Sequence, residues 1–144
     1  MDDAKVKCVA VIQCQETHRR CTGAKCVVGF AKRLDLFAGY GEDVEYFVPF
    51  PCGGCPGRSV WRLAGHLDKV MSRAGVEKDE TVVHLASCVA LDNAHSRPCP
   101  YLDDMRTMLG RRGYRRIVEG TRLSRTAERK RADGAYARRA GQGG

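Results

Sequence analysis

Residues 52–57 read Cys-Gly-Gly-Cys-Pro-Gly, directly after an apolar run at 44–50 that has the composition of a buried strand. Two thiols three positions apart, separated only by glycine, can converge on one metal ion or form a redox pair. Glycine reaches backbone angles closed to other residues and lets amide N–H groups approach the sulfurs. Pro56 suits the first turn of a helix, which would place Cys55 at a helix N-terminus, where the dipole favours thiolate. A tight turn that merely buries two small apolar thiols is the weaker reading of this spacing.

The chain has eight cysteines in 144 residues: Cys8, Cys14, Cys21, Cys26, Cys52, Cys55, Cys88 and Cys99. A disulfide framework belongs to short secreted chains, and the opening Met-Asp-Asp-Ala-Lys has no signal-peptide pattern. No apolar run approaches the roughly 18 residues of a membrane span. A cytoplasmic protein with reduced thiols is therefore expected, and reduced cysteines at this density point to metal binding or catalysis.

These thiols need elements to position them. A near-continuous apolar run at 6–13 predicts a strand buried on both faces, with further strands at 44–50 and 81–86 and a shorter one at 116–119. Helical spacing predicts helices over 26–40, 59–74 and 101–109. This alternation predicts a single small α/β domain. It would be a three-layer Rossmann- or flavodoxin-like parallel sheet of about four strands, with helices on both faces. On that frame Cys14, Cys52, Cys55 and Cys88 follow strands, Cys21 and Cys26 lie in the loop and at the start of the first helix, and Cys99 precedes the third. All seven gather at the edge where open parallel sheets bind ligands. Cys14, Cys52, Cys55 and Cys88 form the core of the expected metal site, with Cys21, Cys26 and Cys99 as further ligands. Cys8 lies about 20 Å back along its strand and is read as core packing.

Among the histidines, His66 and His84 fall well inside a helix and a strand, and are read as surface or core residues. His18 and His95 lie in edge loops and could coordinate, although a solvated loop histidine is the commoner case. Asp103 and Asp104 suit the first turn of a helix. No phosphate-binding glycine loop or serine-nucleophile motif is present.

The pattern resembles the CGGC domain family, small prokaryotic proteins named for this motif. The likeness rests on Cys52-Gly53-Gly54-Cys55-Pro56-Gly57, with Ile12-Gln13-Cys14-Gln15 at the first strand end and the loop from Cys21 to Cys26. It continues through His84-Leu85-Ala86-Ser87-Cys88, Arg97-Pro98-Cys99-Pro100 and Val118-Glu119-Gly120-Thr121, and so covers about residues 5–122. The resemblance implies metal binding, zinc most often. It also marks a departure: members often close the last strand with Gly-Thr-His, and Arg122 stands in that histidine's place here.

Structural zinc takes four ligands, commonly thiolates, and an iron–sulfur cluster also takes four cysteines. The metal therefore stays open between zinc and an iron–sulfur cluster at this stage. The competing reading is a thiol–disulfide oxidoreductase using the Cys52/Cys55 pair, which leaves five edge cysteines without a role.

The formal net charge is +8. Residues 125–144 carry six basic side chains against two acidic ones, and lack the apolar periodicity needed to dock. A basic tail, disordered or a frayed helix, is expected there, with weak nonspecific attraction to polyanions.

Overall fold

The computed structural model describes residues 5–91, 99–123 and 125–134. Four strands, β1 (Cys8–Gln13), β2 (Tyr46–Pro51), β3 (Thr81–Leu85) and β4 (Ile117–Glu119), form one sheet in the order β2-β1-β3-β4. Every pairing is parallel. The helices are α1 (Ala24–Ala31), α2 (Ser59–Arg73), the short α3 (Ser87–Ala90), α4 (Leu102–Arg111) and α5 (Arg125–Ala132). None among the described residues is long and apolar enough to cross a membrane.

All six residues of β1 are buried, because this strand is central and covered on both faces. Cys8, Ala10 and Ile12 face one core, shared with Val60, Ala64 and Leu67 of α2 and Leu102, Met105 and Leu109 of α4. Val9 and Val11 face the other, where Phe37 is fully buried among Phe30, Tyr40 and Phe47. Phe30 stacks on Phe47 with ring centroids 4.3 Å apart, and Phe37 meets Phe30 edge-on at 5.7 Å. Period-two alternation along β1 thus feeds two apolar layers, the three-layer arrangement expected from the sequence.

The first helix departs from expectation. Residues 26–40 do not form one helix: α1 ends at Ala31, and a separate 3-10 turn covers Asp35–Phe37. Arg33 and Asp35 take left-handed angles, with φ of 55° and 54°. The Arg33 guanidinium offsets that cost by donating to the carbonyls of Phe30, Tyr40 and Gly41. The apolar spacing continues through the break because both segments pack on the same core. The second departure is at Pro56. Here α2 begins at Ser59, and Cys55 and Pro56 lie in the preceding turn, so Cys55 does not cap the helix. The cause is Gly57, which turns the chain at φ 86° and donates its N–H to the Gly54 carbonyl at 2.8 Å. The first residues of the basic tail are helical, as α5, and residues 135–144 lie outside the described residues.

Candidate metal centre

The strand registers align the C-terminal ends of the sheet: Gln13 is level with Pro51, Ile12 with Leu85, and Leu85 with Glu119. The next residues along these strands are therefore neighbours. The Cys52 N–H extends the ladder by one bond, to the Gln13 carbonyl at 2.8 Å. Connections from β1 and β3 diverge here to opposite sides, the crevice where open α/β sheets place ligands.

Cys14, Cys52, Cys55 and Cys99 line one small cavity of about 20 Å³, together with Gln15, Glu16 and the side chains of Val89 and Met105. The Gln15 N–H approaches the Cys52 sulfur at 3.5 Å, and the Tyr101 N–H approaches that of Cys99 at 3.4 Å. Cys99 is delivered by a bond from its own N–H to the Val89 carbonyl of α3, at 2.7 Å. Cys55 is exposed, whereas Cys52 is buried. Burial pushes the Cys99 thiol up, the Tyr101 N–H opposes that, and the nearby Cys55, Cys14 and Cys52 thiols add to it.

Cys88, on α3, does not line this cavity. Its sulfur accepts the Cys14 N–H at 3.4 Å, from the other side of the β1 end. Burial pushes its thiol up to about 12; the Cys14 N–H opposes this, and the thiols of Cys14, Cys26 and Cys21 reinforce it. Cys26 lies 3.3 Å from the Thr121 hydroxyl, which also accepts the Ser87 N–H at 3.2 Å. The seven edge cysteines thus fall into two groups that meet at Cys14: one with Cys52, Cys55 and Cys99, the other with Cys21, Cys26 and Cys88. No disulfide joins any of the eight cysteines. Among the described residues, no three His, Cys, Asp or Glu side chains already stand in an arrangement that could hold a metal ion. The donor chemistry suits a thiophilic ion, and the thiols would have to draw together to hold it.

Cys8 is fully buried in the core, where burial raises its thiol to about 11 against an opposing bond with Thr81. His84 is also fully buried. Its ring bonds to the Gly120 carbonyl through Nδ1 at 2.9 Å and to the Tyr40 hydroxyl through Nε2 at 2.7 Å. His66 is exposed on α2. The His18 Nε2–H donates to the Gln13 side-chain oxygen at 2.9 Å, and His18 does not line the cavity. His95 lies outside the described residues. Arg122 bonds to Asp35 at 2.8 Å and to the Lys25 carbonyl at 2.9 Å, a clamp between the end of the sheet and the α1 region.

Two contributors escaped the sequence. Glu16, two residues beyond Cys14, also lines the cavity, while its carboxylate turns to Arg19 at 3.5 Å. Gln13 buries a side-chain nitrogen without a partner among the described residues, packed where a side chain on Gly23 would collide with it at 2.7 Å.

The CGGC domain family matches residues 8–122 of this chain, from the first residue of β1 to the Arg122 clamp. The chain belongs to the CGGC domain family. Over 99 residues it is 32% identical to the uncharacterized protein MJ0582 of Methanocaldococcus jannaschii, a match covering 66% of this chain and 69% of that one. No solved structure matches it. The CGGC domain contains the whole sheet and all seven edge cysteines, and leaves α5 and the basic tail outside.

Proposed function

We propose that this CGGC-domain protein binds a single zinc ion in the cavity bounded by Cys14, Cys52, Cys55 and Cys99. The observation that carries the reading is the convergence of four thiols, from three separate segments, on one cavity of about 20 Å³. Four thiols around one small space match the ligand count of a single ion once they draw together. Four thiolates are a common donor set for structural zinc. When bound, the ion would supply a positive charge that holds these thiols deprotonated at neutral pH. The chain's own part is to bring them together: the β1–β2 register sets Cys14 beside Cys52, the glycine turn carries Cys55, and α3 anchors Cys99.

The test is the metal content of protein purified without oxygen. About one zinc per chain is expected, with Cys52→Ser combined with Cys55→Ser losing it and Cys8→Ala retaining it. A fully loaded double variant would remove the assignment. Iron with acid-labile sulfide would move it to a cluster. The pairing of a buried Cys52 with an exposed Cys55 is what favours the alternative, a thiol–disulfide oxidoreductase. That alternative requires a reversible Cys52–Cys55 disulfide in metal-free protein, and single-cysteine variants that trap mixed disulfides.

A further inference from the structure

Away from the thiols, the outer face of α2 has a second set of features that metal binding leaves unused. An open groove there is lined by Trp61, Arg62, Gly65, His66, Lys69 and Arg112. Trp61 is 41% exposed, an unusual cost for the chain's single tryptophan. Arg112, just past α4, lies over its ring at 3.9 Å and donates to the Trp61 carbonyl at 3.0 Å. Gly65 makes this possible: a Cβ there would sit 2.9 Å from the guanidinium carbon. The groove floor is thus a cation–π pair laid flat against a helix.

Basic residues extend the groove along the helix. Arg58, Arg62, Lys69 and Arg73 are spaced so as to share one side of it, and all four are exposed. Among the described residues none of them pairs with a carboxylate, and the nearby Asp68 is held by Lys78 at 3.5 Å. From Arg58 to Arg73 the stripe runs about 22 Å at 1.5 Å per residue. A mononucleotide would leave most of that length unused.

We propose that this face binds single-stranded nucleic acid, one base stacking on Trp61 beside Arg112 and the flanking phosphates following the basic stripe. Two requirements of such sites are met together: an exposed ring and a line of unpaired cations. A duplex keeps its base faces stacked internally and cannot use Trp61. The net charge of +8 acts in the same sense over longer range.

Trp61 is its own probe. Titrating the full-length protein with an oligothymidylate of about twelve nucleotides, at about 20 mM salt, should quench its fluorescence saturably. Affinity should fall with salt at a log–log slope of about −2 to −3, as three or four phosphate contacts require on a single strand. Arg62→Glu with Lys69→Glu should weaken binding at least about tenfold, with helicity and zinc content unchanged. Gly65→Leu, which fills the seat of Arg112, should weaken it as well. The proposal is overturned if the oligomer produces no quenching or if the charge-reversed protein binds like wild type. It is equally overturned if a duplex of the same length quenches Trp61 to the same extent, since that is charge attraction alone.

Discussion

His84 must carry its proton on Nδ1, because the Gly120 carbonyl can only accept; Nε2 is then the acceptor for the Tyr40 hydroxyl. A second proton would reverse that bond inside the aromatic core, and burial lowers the His84 pKa from 6.5 despite the favourable Gly120 contact. A depressed histidine makes the folded state bind fewer protons than the unfolded one. Its stabilising contribution is complete above pH 6.5 and is lost as pH falls below that value. The unfolding free energy from urea titration should therefore hold steady from about pH 8 to 6.5 and then fall, by up to about 1.4 kcal/mol per pH unit; a value flat to about pH 5 would contradict the burial argument. The thiols set the opposite limb. Cys8 and Cys88 are raised from 9.0 to about 11 and about 12, so their contribution is intact below pH 9 and is lost as pH rises toward those values. Metal-free protein should lose stability through that alkaline range, and Cys8→Ala should flatten part of the loss. The same substitution should cost about 1–2 kcal/mol at neutral pH by removing core packing, measured by the shift in urea midpoint.

At the scale of elements, the turn between β2 and α2 holds three glycines at positive φ, Gly53, Gly54 and Gly57. Gly53 has φ 86°, and a Cβ there would lie 2.5 Å from the Ser59 Cβ at the start of α2. Gly53→Ala should destabilise the fold by about 2 kcal/mol, since both the left-handed angle and the contact resist it. Gly54, at φ 105°, meets nothing within 4 Å, so Gly54→Ala should cost only the backbone strain. Equal losses for the two would show that the contact with Ser59 plays no part. This contrast also marks what the sequence could reveal. The central strands β1 and β3 were legible because a strand buried on both faces must be a near-continuous apolar run, as 8–13 is; β2, whose run had the composition of a buried strand, lies at the sheet edge and is only half-buried. The start of α2 at Ser59 was legible too, but the break after α1 and the turn that keeps Cys55 and Pro56 outside α2 were not. One depends on Arg33 reaching carbonyls at Tyr40 and Gly41, and the other on a left-handed Gly57; neither leaves a mark in local apolar spacing. The gathering of the edge cysteines was legible, because their positions after strands or before helices follow from the alternation. Their division into two sets was not, since Cys99 reaches the cavity through a backbone bond to α3, a helix too short to show periodicity.

For the whole molecule, the proposed zinc would tie together segments that are remote in sequence: the β1 end, the glycine turn and the residue that precedes α4. Such an ion binds the folded chain and not the unfolded one, so free zinc at a hundredfold over its Kd should stabilise by about 2.7 kcal/mol. Melting temperature should rise with free zinc and fall on chelation, and it should be insensitive to zinc in the Cys52→Ser, Cys55→Ser protein. Alkylation of the edge thiols should be slow in loaded protein and accelerate once the metal is withdrawn. The graded burial of the cysteines has a further use. Cys55 is exposed, five others are half-buried, and Cys52 and Cys8 are 7% and 0% exposed, the last at the start of the central strand. Each thiol can react only when its own surroundings open, so the eight together form a set of clocks. Cys55 would time the native surface, the half-buried set would time local excursions at the rim, and Cys8 would register only the opening of the entire sheet. Labelling rates read residue by residue would thus map the chain's unfolding from its edge to its centre, with no reporter added.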